Sequence, residues 1–184
     1  MSATPAVRPF RVNGPAGRPG VASFHIQVVG PEAVACHLPA IADVGGDVFT
    51  LPPWRESYPA ARGVAARLLA DSRRPGFVLA LALDGEELYG FAYGVRCSRL
   101  ARLACHEPGP DFTLKELAVV PRRRGLRLGA ALHDAVLARA VPGTRWLTTH
   151  TRAAAALGLY RARGWRAVAL AGGERLIMSR RDTR

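Results

Sequence analysis

Residues 114–137 read LKELAVVPRRRGLRLGAALHDAVL. The apolar, β-branched run up to Val120 reads as a strand, and Pro121 stops it. A basic turn follows over 122–129, with glycine at Gly125 and Gly129. Leu128, Leu132 and Val136 then recur at four-residue intervals with Ala131, Ala135 and Ala138 beside them, so a helix is expected to about residue 140. The first turn of such a helix carries unpaired backbone N–H groups and the positive end of the helix dipole. Glycines let a ligand approach the backbone, and Arg122, Arg123, Arg124 and Arg127 add charge. The segment is expected to cradle a phosphate or pyrophosphate. It is not a Walker loop, because Gly-Lys-Ser/Thr is absent, and it lacks the glycine spacing and following acid of the dinucleotide fingerprint. Taken alone, a helix N-terminus with a flexible entry is the alternative reading.

Working outward, residues 111–120 form the strand, the helix follows, and residues 145–149 (RWLTT) form the next strand. This is a βαβ unit, so its two strands are expected to run parallel. Upstream, 77–83 and 88–95 flank Asp84-Gly85 as a hairpin. FHIQVV (24–29) is a further strand, and 32–49 is helical in tendency with Pro39 in a first turn. LPPWRESYP (51–59) is a loop, and Ser57 heads a helix to about residue 71. Residues 96–110 read as an irregular linker. Downstream, a helix over 152–163 stops at Gly164, and WRAVAL and RLIMS close the chain as strands around Gly172-Gly173.

The chain has 184 residues, 49% hydrophobic, and a net charge of +12. That supports one folded domain and argues against disorder. No apolar run reaches the roughly 18 residues of a membrane span. Residues 1–20 read as a flexible leader and 21–184 as the domain. Cys36, Cys97 and Cys105 are few and odd in number, and the five His are scattered, which points to free thiols, a cytoplasmic setting and no metal site. Of the 26 basic residues 25 are Arg, beside 32 Ala. GC-rich codon usage would produce that pairing, and an acidic partner is the functional alternative. Lysine clusters and interleaved aromatics are missing, so nucleic acid is not the expected partner.

The segment resembles the GCN5-related N-acetyltransferase (GNAT) family, whose pattern L-x-V-x-P-x-x-R-G-x-G-x-G-x-x-L is met by Leu117, Val119, Pro121, Arg124, Gly125, Gly129 and Leu132. Arg127 stands where the family usually has Gly. The downstream pattern N-x-x-A-x-x-L-Y-x-x-x-G-F/W is met by Ala156, Leu159, Tyr160, Gly164 and Trp165, with Ala153 replacing the Asn. The resemblance implies an α/β (α+β) fold: a mixed, mostly antiparallel sheet with a central splayed parallel pair and helices on both faces. It also implies an N-acetyltransferase using acetyl-CoA without a metal, acting on a primary amine, with no membrane partner and a homodimer as a common assembly. A coenzyme-binding sensor or regulatory module is the alternative that Arg127 and Ala153 favour.

By the same resemblance, Leu117, Ala118 and Val119 hold the pantetheine arm along a strand edge, and the Val119 N–H is the oxyanion donor. The backbone of Arg124, Gly125, Leu126, Arg127, Leu128, Gly129 and Ala130 holds the pyrophosphate. Tyr160 is the candidate acid for the leaving thiolate, although its helix face is apolar and a core role is the alternative. Glu116, the carboxylate inside the strand, is the candidate base, with a surface ion pair as the alternative and His150 as a rival. Trp54, Glu56 and Tyr58 share the proline-rich loop. Aromatics with a carboxylate suit a cationic amine, while a Trp54 that merely covers the sheet edge is the other reading. Tyr89, Phe91 and Tyr93 alternate along one strand, as core or as pocket.

Overall fold

The computed structural model describes residues 24–181, so the leader expected over 1–20 lies outside the described residues. Two strands rich in Leu, Ala and aromatic residues, β2 (Val78–Asp84) and β3 (Glu87–Arg96), form the expected hairpin. Gly85 supplies the positive φ of +61° that its tight turn requires. β1 (His25–Val29) pairs with β2 and β4 (Phe112–Val119) with β3, both antiparallel. β5 (Thr144–His150) runs parallel to β4, and β7 (Arg175–Arg181) and β6 (Arg166–Ala171) add antiparallel. The order in the seven-stranded sheet is β1-β2-β3-β4-β5-β7-β6.

Helices cover both faces. α5 (Leu128–Arg139) sets Leu132 against Gly90 of β3. Tyr93, an odd number of residues further along β3, reaches Asp71 of α3 (Val64–Asp71) with its hydroxyl at 3.3 Å. Successive strand residues point to opposite faces, so α5 and α3 lie on opposite sides of the sheet. α1 (Val34–Phe49) and α2 (Tyr58–Arg62) pack with α3. α6 (Ala154–Ala162) follows β5.

Three local expectations are corrected. α1 begins at Val34 rather than near Pro39, which lies inside the helix. Burial of Val34, Ile41, Val44 and Val48 along one face outweighs the hydrogen bond that proline cannot make. The helix expected from 57 to 71 is two helices that meet at Gly63. Its N–H is shared between the carbonyls of Pro59 (3.0 Å) and Ala60 (3.1 Å), which tightens the turn. The linker over 96–110 contains a short helix, α4 (Arg99–Leu103). Ala101 is buried with Trp146 and Ile177, a contact made only in the folded chain. Asp111 anchors the rest of that segment, accepting from the Trp146 indole N–H at 2.8 Å and the Gly109 N–H at 3.0 Å.

Two glycines test this packing in opposite directions. A Cβ on Gly90 would lie 2.7 Å from the Ala118 carbonyl oxygen of β4, whereas one on Gly158 in α6 meets nothing within 4 Å. In thermal melts Gly90→Ala is expected to lose about 1–3 kcal/mol, and Gly158→Ala to gain about 0.5–1 kcal/mol. Equal effects at the two positions would contradict the packing of β3 against β4.

Candidate active site

β4 and β5 pair over three positions only: Phe112 with Arg145, Thr113 with Trp146 and Leu114 with Leu147. Beyond that, β4 stays with β3 up to Val119, and β5 stays with β7 up to His150. The strands separate where Tyr93 pairs with Glu116 and Gly94 with Leu114, leaving Lys115 as the extra residue of a β-bulge. The facing edges of 115–119 and 148–150 thus carry unpaired backbone groups. Val120 donates its N–H to the Tyr89 carbonyl on the β3 side (2.9 Å), so by strand alternation the Val119 N–H points into the gap. An open edge of this kind accepts an extended ligand as an added strand.

At the mouth of the gap the basic turn leads into α5. Gly125 holds φ +83° and Arg127 φ +60°, and no side chain caps the helix. Arg127, standing where the family usually has Gly, adopts the left-handed conformation that glycine adopts without strain. The four arginines divide by contact. Arg122 pairs with Glu87 (2.8 Å) and Asp47 (3.9 Å). Arg123 lies over the rings of Tyr89 (4.7 Å) and Phe24 (5.3 Å). Arg124 and Arg127 have no ion pair among the described residues and border the cleft here. This cleft, about 520 Å³, is bounded by Leu117 and Val119 on one side and by Ala153, Ala156 and Leu159 on the other. Ala153, in place of the family's Asn, is the N-cap of α6 and makes no side-chain cap bond.

A second cleft, about 800 Å³, shares Trp54 with the first. Glu56, Arg67, Tyr93 and Glu116 line it, and Trp54 meets Phe49 edge to face at 5.8 Å. Trp54 thus separates two clefts instead of only covering an edge. The Glu116 side chain is 24% exposed, with Arg67 Nη2 at 3.4 Å. Burial raises its carboxyl above the ordinary value and the Glu56 charge adds to this, while Arg67 works against them. Of the three aromatics along β3, Tyr93 reaches this cleft, Phe91 is wholly buried, and Tyr89 meets Phe24 and the arginines.

Tyr58 and Tyr160 border neither cleft, and His150 reaches one with its ring nitrogens already engaged. Tyr58 is 59% exposed and its ring lies against Gly46 and the Arg62 guanidinium. Starting α2 turns it away from Trp54 and Glu56. His150 lines the second cleft, but its Nδ1 accepts the Arg152 N–H (3.1 Å) and its Nε2 faces Glu174 (3.1 Å), so both ring nitrogens are engaged. Arg67 and Asp71 were not foreseen. They arrive from α3, and no spacing in the sequence ties them to Glu116 or Tyr93.

Tyr160 is 6% exposed, with its ring beside His133 (6.2 Å) and Trp165 (6.1 Å). Burial pushes its phenol above the ordinary 10, and the Glu116 charge adds to this, so the hydroxyl stays protonated. His133 is fully buried; its Nε2 accepts the Trp165 indole N–H at 2.9 Å and its Nδ1 meets Asp134 at 2.7 Å. Arg163 holds Asp134 through two bonds, at 2.7 and 2.9 Å. The network joins α5 to the end of α6 and fixes the helix that carries Tyr160.

A model of the acetyltransferase (GNAT) family matches residues 47–165. The chain belongs to this family. It is therefore an acyltransferase, and the matched span contains most of the residues that line the two clefts, from Trp54 to Leu159. The fold is similar to the histone acetyltransferase HPA2 and related acetyltransferase from Corynebacterium glutamicum, at TM-score 0.65 and 22% identity over 86% of this chain and 97% of that one. It is also similar to PaiA N-acetyltransferase from Thermoplasma acidophilum, solved in complex with coenzyme A, at TM-score 0.63 and 14% identity over 87% and 99%. The ribosomal-protein-S18-alanine N-acetyltransferase from Escherichia coli aligns at TM-score 0.57 and 20% identity over 85% and 92%. No curated protein sequence matches the chain. Among the described residues no group of His, Cys, Asp and Glu is arranged to hold a metal ion, and no helix is long and apolar enough to cross a membrane.

Two outcomes check the site's scaffold. Arg127→Gly is expected to leave stability within about 1 kcal/mol, while Arg127→Val loses about 1–2 kcal/mol, read as thermal midpoints of the free protein. Valine tolerated as well as glycine would contradict the left-handed turn. Burial also holds the His133 imidazole below its ordinary 6.5, with Asp134 opposing and Arg163 and Arg180 assisting. The unfolded chain therefore takes up a proton that the folded chain resists. Stability is complete above about pH 6.5 and declines as pH falls below it. The decline is expected to be shallower in His133→Gln, and identical melting profiles between pH 5 and 8 would remove His133 as its source.

Proposed function

We propose that this protein is an acetyl-CoA-dependent N-acetyltransferase that moves the acetyl group directly to a primary amine. One observation carries the reading. The neighbouring residues Glu116 and Leu117 of β4 line different clefts, and Trp54 stands between the two. A donor in one cleft and an acceptor in the other would meet at the point where β4 leaves β5.

In this reading Leu117, Ala118 and Val119 offer their open edge to the pantetheine arm. The backbone from Arg124 through Gly125, Leu126, Arg127, Leu128 and Gly129 to Ala130 receives the pyrophosphate, with the Arg124 and Arg127 side chains free to approach it. When bound, acetyl-CoA supplies an activated acyl group. Trp54 and Glu56 receive the cationic amine, whose proton must leave before nitrogen can attack. Glu116 accepts that proton, directly or through one water. Its raised affinity for protons makes it a stronger base than an exposed carboxylate. The Val119 N–H steadies the negative charge that develops on the carbonyl oxygen. Tyr160, kept protonated by its surroundings, gives its proton to the sulfur as the C–S bond breaks and the C–N bond forms. The products are an amide and coenzyme A as its thiol.

Thiol release from acetyl-CoA across an amine library tests the assignment. Tyr160→Phe is expected to lower kcat by about 10²–10⁴-fold with coenzyme A affinity unchanged; equal turnover would remove the acid role. Glu116 must be ionised to act, so kcat/KM rises with pH through a value above the ordinary carboxylate 4.5. Glu116→Gln is expected to flatten that limb. Gly129→Glu places a carboxylate beside Leu117, Val119 and Leu159 and is expected to abolish coenzyme binding. Coenzyme binding with no thiol release from any amine would favour a coenzyme-binding module instead.

A further inference from the structure

The acceptor cleft is polarised across its width. On one side stand Glu56, from the 51–57 loop, and Glu116 of β4. On the other side, α4 and the β6–β7 hairpin present Arg99 and Arg175. α4 is placed there by Ala101, which is buried with Trp146 of β5 and Ile177 of β7. Arg175 opens β7, where it pairs with His150 and with Ala171 of β6.

The cations of the cleft differ in what they already hold. Arg67 is paired with Glu116 (3.4 Å), and Lys115 faces Asp71 (3.7 Å). Arg99 and Arg175 have no carboxylate partner among the described residues, and both are exposed. Glu174, adjacent to Arg175 in the chain, is held instead by Arg152 (2.7 Å) and His150 (3.1 Å). Glu56 likewise has no ion pair among the described residues. β5 lies between β4 and β7 in the sheet and brings Thr148, Thr149 and His150 to the cleft, while Leu100 and Leu103 of α4 add apolar surface, Leu103 being 53% exposed. The cleft therefore has the unpaired Glu56 carboxylate at one end, threonine hydroxyls and the apolar side chains of α4 in its middle, and unpaired positive charge at the other.

We propose that the acceptor is a dipolar amine: a primary ammonium group directed to Glu56 and Glu116, a connecting stem several atoms long, and an anionic group, carboxylate or phosphate, taken by Arg99 and Arg175. The inference rests on the acetyl-transfer reading and narrows its acceptor. Arg175 lies two strands from Glu116 in the sheet order, so the ends are about 10 Å or more apart at the backbone. Arginine side chains reach across part of that span, which suits an anion several carbons from the amine. A diamine of the same length would set its second cation against two guanidinium groups, within the roughly 8–10 Å over which charges act at moderate salt.

The test compares four compounds of matched chain length: an alkylamine, a diamine, an ω-aminocarboxylate and an aminoalkyl phosphate. Binding is read by titration calorimetry with coenzyme A present, and turnover separately by thiol release. Two partly exposed ion pairs are expected to favour the anionic acceptors over the alkylamine by about tenfold, with the diamine weakest. The carboxylate and phosphate arms show which anion is preferred. In Arg99→Ala/Arg175→Ala the ratio of anionic to neutral acceptor is expected to collapse towards one. Single variants cover the case in which the pair fails to fold. A preference that survives both substitutions, or a diamine that binds best, overturns the proposal. Preferential binding without thiol release sustains the dipolar site and defeats the transfer reading. Thiol release at equal efficiency from all four compounds does the reverse.

Discussion

Strand β4 pairs in full with β3, while its pairing with β5 ends after Leu114. β5 in turn is held along its whole length by β7. Each strand thus has a stronger partner on its outer side, and the two halves of the sheet turn apart between them. Backbone polar groups inside a protein are almost always paired, so an unpaired edge opening onto a cleft is unusual. It persists here because the edge faces solvent-filled space. The bulge at Lys115 lies at the same point and shifts the register of everything after it. Glu116 and Leu117 consequently serve different clefts, and α5 starts at the mouth of the gap.

The remaining elements stabilise this opening from outside. On the α5 side, His133, Asp134, Arg163 and Trp165 connect two helices through a continuous set of hydrogen bonds. A neutral His133 is needed for it, since Nε2 must accept from Trp165. On the other face, Arg67 and Asp71 of α3 meet Glu116 and Tyr93, joining the helical layer to the strand at its bulge. The excess of arginine is similarly divided. Arg122 and Arg123 are bound into the fold by Glu87, Asp47, Tyr89 and Phe24. Arg124, Arg127, Arg99 and Arg175 are left at cleft margins, where a long cationic side chain without a partner has the least structural reason to be.

What could be read from the sequence was what neighbouring residues decide among themselves. The run from Leu114 to Leu137 contains a strand, its proline stop, a turn with Gly125 and a helix repeat, and the structure forms each of them. The hairpin around Gly85 was legible for the same reason. α4 was not, because five residues hold a helix only when Ala101 is covered by Trp146 and Ile177. Tyr58 adjoins Trp54 and Glu56 in the chain, yet helix α2 begins at that residue and carries it away. The contact between Arg67 and Glu116 spans 49 positions and leaves no local mark. The polarity of the acceptor cleft was hidden likewise, since α4 and β7 come together only through the sheet order.

The two departures from the family's pattern find different structural answers. Arg127 keeps the left-handed backbone that glycine would adopt, at a strain of about 1–2 kcal/mol, so the turn's shape is retained and a cation is added to its rim. Strain of this kind persists where the surroundings over-determine a conformation, as they do at binding sites. Ala153 cannot cap α6 with its side chain. Part of that work passes to His150, whose carbonyl accepts the Ala153 N–H at 3.0 Å and whose Nδ1 accepts the Arg152 N–H at 3.1 Å. Glu174 orients the ring from the β6–β7 turn. The helix bearing Tyr160 is therefore tied to the hairpin that bears Arg175, and the two clefts are mechanically joined through a histidine that has no free nitrogen for chemistry.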